Sequence, residues 1–80
     1  MRITVLLFAS YAEALGTDRI SLELPAGSSV GDALAEVRRQ PGAERVPPSP
    51  AVAVNLKYVH RDSPLQEGDE LAIIPPVAGG

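Results

Sequence analysis

The residues best placed to do chemistry are the last ones of the sequence. After Pro75 and Pro76 come Val77, Ala78, Gly79 and Gly80. Glycine has no Cβ, so a Gly-Gly pair is slim enough to thread a channel that any other residue would block. Proline fixes φ, stiffens the base of such a tail and projects it away from the domain. At its tip lies the Gly80 carboxylate, which becomes an electrophile once it is adenylated by ATP. A tethered carboxylate of this kind is something a second enzyme can reach. The competing reading is a frayed end with no role.

Nothing else in the chain assembles into a reaction centre. His60 stands beside Arg61 and Asp62 without a second ligand or acid–base partner at useful spacing, and reads as a surface histidine. Glu67, Asp69 and Glu70 lack the alternating oxygen ligands of a calcium loop and read as a solvated acidic turn. Ser10, Ser28, Ser29 and Ser63 have no His–Asp pair to activate them. Gly27, Gly31 and Gly42 form no phosphate-cradling motif. The absence of cysteine removes thiolate chemistry and disulfides. The expectation is a chain that binds no metal and no cofactor and is not an enzyme on its own.

Composition bounds the partners. Eighty residues make one small domain, and 45% hydrophobic residues with 21% charged ones are too apolar for disorder. The net charge of −3 lacks the basic excess of a nucleic-acid binder. No apolar run reaches the ~20 residues of a membrane span. Residues 1–8 are too short and strand-like for a signal peptide, so a cytoplasmic protein is expected. A core of this size leaves little room for a deep cleft, which moves function to a surface, a loop or a terminus.

The elements that must position the tail follow from periodicity. Residues 2–8 alternate, with Ile3, Val5 and Leu7 on one face and Thr4, Leu6 and Phe8 on the other. A short helix over residues 9–15 closes at Gly16. Residues 19–24 alternate again, with Ile20, Leu22 and Leu24 inward. Ser28 or Ser29 caps a main helix with Asp32 in its first turn, and Val30, Ala33, Leu34 and Val37 form its buried stripe. Residues 43–50, with three prolines, read as an ordered irregular loop. Residues 51–55 read as a strand buried on both faces, then a turn at 55–57 leads into Tyr58. Residues 71–74 form the last strand, stopped by Pro75 and Pro76.

This order predicts an α+β fold of the β-grasp, ubiquitin-like type: a mixed sheet packed on one main helix. A ferredoxin-like fold is the competitor, but it wants a second long helix where the proline-rich loop lies. Residues 1–76 form the single domain and 77–80 a flexible Gly-Gly tail. Parity puts Leu6, Phe8, Ala72 and Ile74 on the face away from the core. If the first and last strands are neighbours, these make an exposed apolar patch, with Tyr58 a further member, of the kind that marks a protein partner. The alternative is that the helix over residues 9–15 covers them.

Taken together, the sequence resembles the sulfur-carrier small subunits of molybdopterin synthase, within the ubiquitin-like family. The resemblance runs along the whole chain and is most specific in residues 65–80, which close Pro75-Pro76-Val77-Ala78-Gly79-Gly80; residues 6–9 and the Val54-Asn55 pair also carry it. Ala12-Glu13 departs from the Arg-Glu pair often found in the first helix of that family. The thiamine-pathway carriers share the fold and the glycines but typically not the Pro-Pro-Val ending.

The resemblance implies a cycle. An activating enzyme adenylates Gly80 with ATP, and a sulfur donor protein converts it to a thiocarboxylate. The tail then enters the large synthase subunit and gives its sulfur to a cyclic pyranopterin precursor during molybdenum cofactor biosynthesis. Catalytic acid–base groups belong to the large subunit, two large and two small subunits assemble, and Phe8, Tyr58 and Ile74 dock. A thiamine-pathway carrier, a ubiquitin-like protein modifier and a β-grasp interaction module with an inert tail are the alternatives.

Overall fold

Alternation along the strands builds one buried face and one open face. In the computed structural model, which describes residues 1–76, β1 (Arg2–Leu7) buries Ile3, Val5 and Leu7. It pairs antiparallel with β2 (Arg19–Glu23), setting Ile3 opposite Leu22 and Val5 opposite Ile20. Between them runs α1 (Ala9–Leu15), which Gly16 ends in the left-handed region at φ 74°.

The main helix α2 (Val30–Arg38) starts on a reciprocal cap. The Asp32 amide donates to the Ser29 hydroxyl at 3.3 Å, and the Ser29 amide donates to the Asp32 carboxylate at 2.8 Å. Val30, Ala33, Leu34 and Val37 are all buried, so the expected stripe is the face that α2 sets into the core. Later strands complete the sheet. β5 (Glu70–Ile74) runs parallel to β1, and β3 (Ala51–Val54) pairs antiparallel with both β5 and the short β4 (Lys57–Tyr58). The order β2-β1-β5-β3-β4 puts the first and last strands side by side in the middle. This is the β-grasp arrangement.

Two expectations need refinement. Residues 43–50 are not wholly irregular: Ala43–Arg45 form a single 3-10 turn, Ala43 and Val46 are buried, and the Arg38 Nε donates to the Val46 carbonyl at 3.1 Å. That turn packs on α1, and at Gly42 (φ 88°) any Cβ would collide with the Ala14 carbonyl. β3 is covered on both faces only at Val52 and Ala53, whereas Ala51 is exposed and Val54 half-buried. Ala51 is left open because β4 pairs only with Ala53 and Val54, so at the end of the ladder Ala51 has Ile74 of β5 on one side and no β4 residue on the other.

Candidate functional site

The face away from α2 is organised by strand register. Leu6 lies opposite Ala72, Ala72 opposite Ala53, and Ala53 opposite Tyr58, so one row crosses four strands, with Arg19 opposite Leu6 at its far end. Directly opposed side chains in a sheet sit about 5 Å apart. Two alanines between Leu6 and Tyr58 therefore leave a trough. Ile74, opposite Ala51, begins the next row, beside Phe8 just past the end of β1. The result is a groove of about 240 Å³ lined by these apolar residues, with Leu56 and Glu70 at its margin.

Exposure decides what the groove is. Phe8 is 47% exposed, Tyr58 77% and Leu56 96%, and these are the large apolar side chains left exposed among the described residues. All of them line this one groove. Scattered apolar residues on a surface are ordinary, whereas these form one contiguous cluster. α1 does not cover it: Tyr11 is buried in the core and the helix packs toward the 3-10 turn. The structure thus brings Phe8, Tyr58 and Ile74 together, as parity suggested.

The groove adjoins the root of the tail. β5 contributes Ala72 and Ile74 and then passes directly to Pro75, half-buried, and Pro76, exposed. Val77, Ala78, Gly79 and Gly80 lie outside the described residues.

The remaining candidates serve the fold. The Asp69 carboxylate accepts from the Gln66 amide at 2.8 Å and from the Asn55 Nδ2 at 3.0 Å, while Glu67 accepts from the Arg2 amide at 3.0 Å. This acidic segment is a hydrogen-bonded corner. His60 is exposed. Among the described residues, no three His, Cys, Asp or Glu side chains gather as a metal-binding group.

Sequence reasoning missed Leu56 and the role of Ala53. Leu56 sits in the two-residue β3–β4 turn, where apolar residues carry no periodic signal. Ala53 reads as filler until the register shows it between Ala72 and Tyr58.

Residues 5–80 match the model of the ThiS family. The chain belongs to the ThiS family. Relatives of this ThiS-family chain include the molybdopterin synthase sulfur carrier subunit of Arabidopsis thaliana, 40% identical over the whole of this chain and 84% of the relative. The subunit of the same name from Chlamydomonas reinhardtii is 37% identical over the whole of both. Among solved structures, SAMP1 from Haloferax volcanii superposes with a TM-score of 0.87 at 30% identity, again over the whole of both chains. This ThiS-family chain is therefore similar in sequence to proteins named as a sulfur carrier and in fold to SAMP1, named as a small archaeal modifier protein. Among the described residues no helix is long and apolar enough to cross a membrane.

Proposed function

We propose that this chain is the sulfur carrier subunit of molybdopterin synthase. The observation that carries the reading is the full-length match to relatives of that name, together with a family match that extends to Gly80. In this reading the Gly80 carboxylate attacks the α-phosphate of ATP in an activating enzyme, and pyrophosphate leaves. A sulfide equivalent from a sulfur donor protein displaces AMP and leaves a thiocarboxylate. The groove then docks through Phe8, Tyr58 and Ile74 on the large synthase subunit. Pro75, Pro76, Val77, Ala78 and Gly79 lead Gly80 into that subunit's active site, where the sulfur passes to a cyclic pyranopterin precursor. The acid–base groups are the partner's, and two large and two small subunits assemble in the cytoplasm. The groove at the foot of the tail supports this division, because it lets one partner hold the domain and receive the tail at once.

The likeness to SAMP1 favours a second reading, in which Gly80 is joined to a lysine of another protein through an isopeptide bond. One experiment separates the two. The chain is isolated from its own cell, and its intact mass and tail fragments are read. The expected result is sulfur in place of one oxygen at Gly80, with transfer abolished and melting unchanged when Gly79 and Gly80 are deleted. A plain carboxylate that persists with activating enzyme, ATP and a sulfur source present would overturn the carrier. Lysine-linked conjugates without any thiocarboxylate would establish the modifier.

A further inference from the structure

Leu56 occupies a position that the fold alone does not explain. With Asn55 it forms the two-residue turn between β3 and β4, at φ 49° for Asn55 and 74° for Leu56. Turns of this hand favour Asn followed by Gly, because a Cβ at the second residue crowds the backbone. Asn55 fits that rule and Leu56 breaks it. Nor does its side chain repay the strain by packing inside, since it is 96% exposed.

The turn is nevertheless held firmly. Asn55 donates through its amide to the Glu70 carbonyl, accepts from the Glu70 amide at its Oδ1, and donates from Nδ2 to Asp69, each at 3.0 Å. These bonds fasten the turn to the start of β5 and fix where Leu56 stands beside the groove. The non-glycine residues at positive φ among the described residues are Ala9, Asn55 and Leu56. Ala9 directly follows Phe8, so backbone strain borders the groove on both sides. Strain of this kind survives where the surroundings over-determine it, and it gathers at functional sites.

We propose that Leu56 is a specificity-determining contact, a preset apolar lip that inserts into an apolar pocket of the protein receiving the tail. This deepens the sulfur-carrier reading and rests on it for the partner, the large synthase subunit. The occupant follows from continuity: β5 supplies Ala72 and Ile74 to the groove and then leads into Pro75 and Pro76, so the protein that takes the tail meets the groove as well. A turn whose backbone is already held in place loses little freedom on docking, which favours affinity.

Leu56→Gly is the deciding variant, because glycine relaxes at this φ while removing the side chain. Binding of the large molybdopterin synthase subunit is measured by calorimetry, and melting by circular dichroism. The expected result is a Kd about tenfold weaker, the loss for one buried leucine contact, with a melting temperature equal to or above that of the parent. Leu56→Asn, also tolerant of positive φ, gives the same loss and keeps the test decisive if the glycine variant fails to fold. Equal affinity of parent and variants overturns the role of Leu56 and leaves the carrier reading standing. A parent chain that does not bind the large subunit overturns both. If sedimentation shows the parent self-associating and the variants monomeric, with partner affinity unchanged, the occupant is a second copy and the proposal falls.

Discussion

Leu71 and Ala72 are neighbours in β5, yet they belong to different regions of the molecule. Leu71 is sealed into the core with Val5, Val30 and Ile73, fully buried. Ala72 lies on the opposite face in the groove, in register with Leu6 and Ala53. On the closed face large apolar side chains fill the middle, and among the described residues none of them is left exposed. On the open face the order is reversed, with small residues in the middle and large exposed ones at the rim. The same strands thus hold the fold with one set of residues and present a concave apolar surface with the alternate set. In the proposed reading stability and recognition are separated by parity, and one residue along a strand is enough to pass from the core to the groove.

That separation can be broken from either side. Leu71→Ala strikes the closed face and carries the largest expected effect. Truncating a fully buried leucine costs about 2–5 kcal/mol, against the ~3–5 kcal/mol a domain this small holds in total. The variant is expected to be largely unfolded by circular dichroism, and a parent-like melting curve would place the core elsewhere. Phe8→Asp strikes the open face. It is expected to weaken assembly with the large synthase subunit by about 2 kcal/mol or more, as for an aromatic anchor, while the fold persists. Size-exclusion chromatography with circular dichroism checks this, and loss of the fold would move Phe8 into the core. Ser29→Ala sharpens the contrast with the smallest change. Losing the α2 cap costs about 1 kcal/mol, or about 4–8 °C in melting temperature, with partner affinity unaltered. An unchanged melting temperature would show that the cap contributes nothing to the closed face.

Much of this division was legible in the sequence. Period-two alternation in β1, β2 and β5 and the stripe of α2 fixed which side chains turn inward, because burial demands that pattern and little else satisfies it. The same parity placed Phe8 and Ile74 outward, and only neighbouring of β1 and β5 was needed to join them. What the sequence hid is short or tertiary. Three residues of 3-10 turn at Ala43–Arg45 have no period to detect, and the burial of Val46 depends on a turn that packs on both α1 and α2. Leu56 was invisible as a groove residue because its place depends on the clamp from Asn55 to Asp69 and Glu70, a contact across 14 or 15 residues.

The position of β5 has a consequence for how the protein is made. The order β2-β1-β5-β3-β4 joins two halves of the sheet through the strand synthesised last of the five. Until residues 70–74 have left the ribosome, β1–β2 and β3–β4 share no ladder, and the parallel pairing with β1 must wait across most of the chain. A chain that stops short of β5 therefore has neither a finished sheet nor the trough that Ala72 and Ile74 complete. The groove and the strand that leads into Pro75 and Pro76 are completed in the same step of translation, so a copy broken off before residue 74 presents no finished groove.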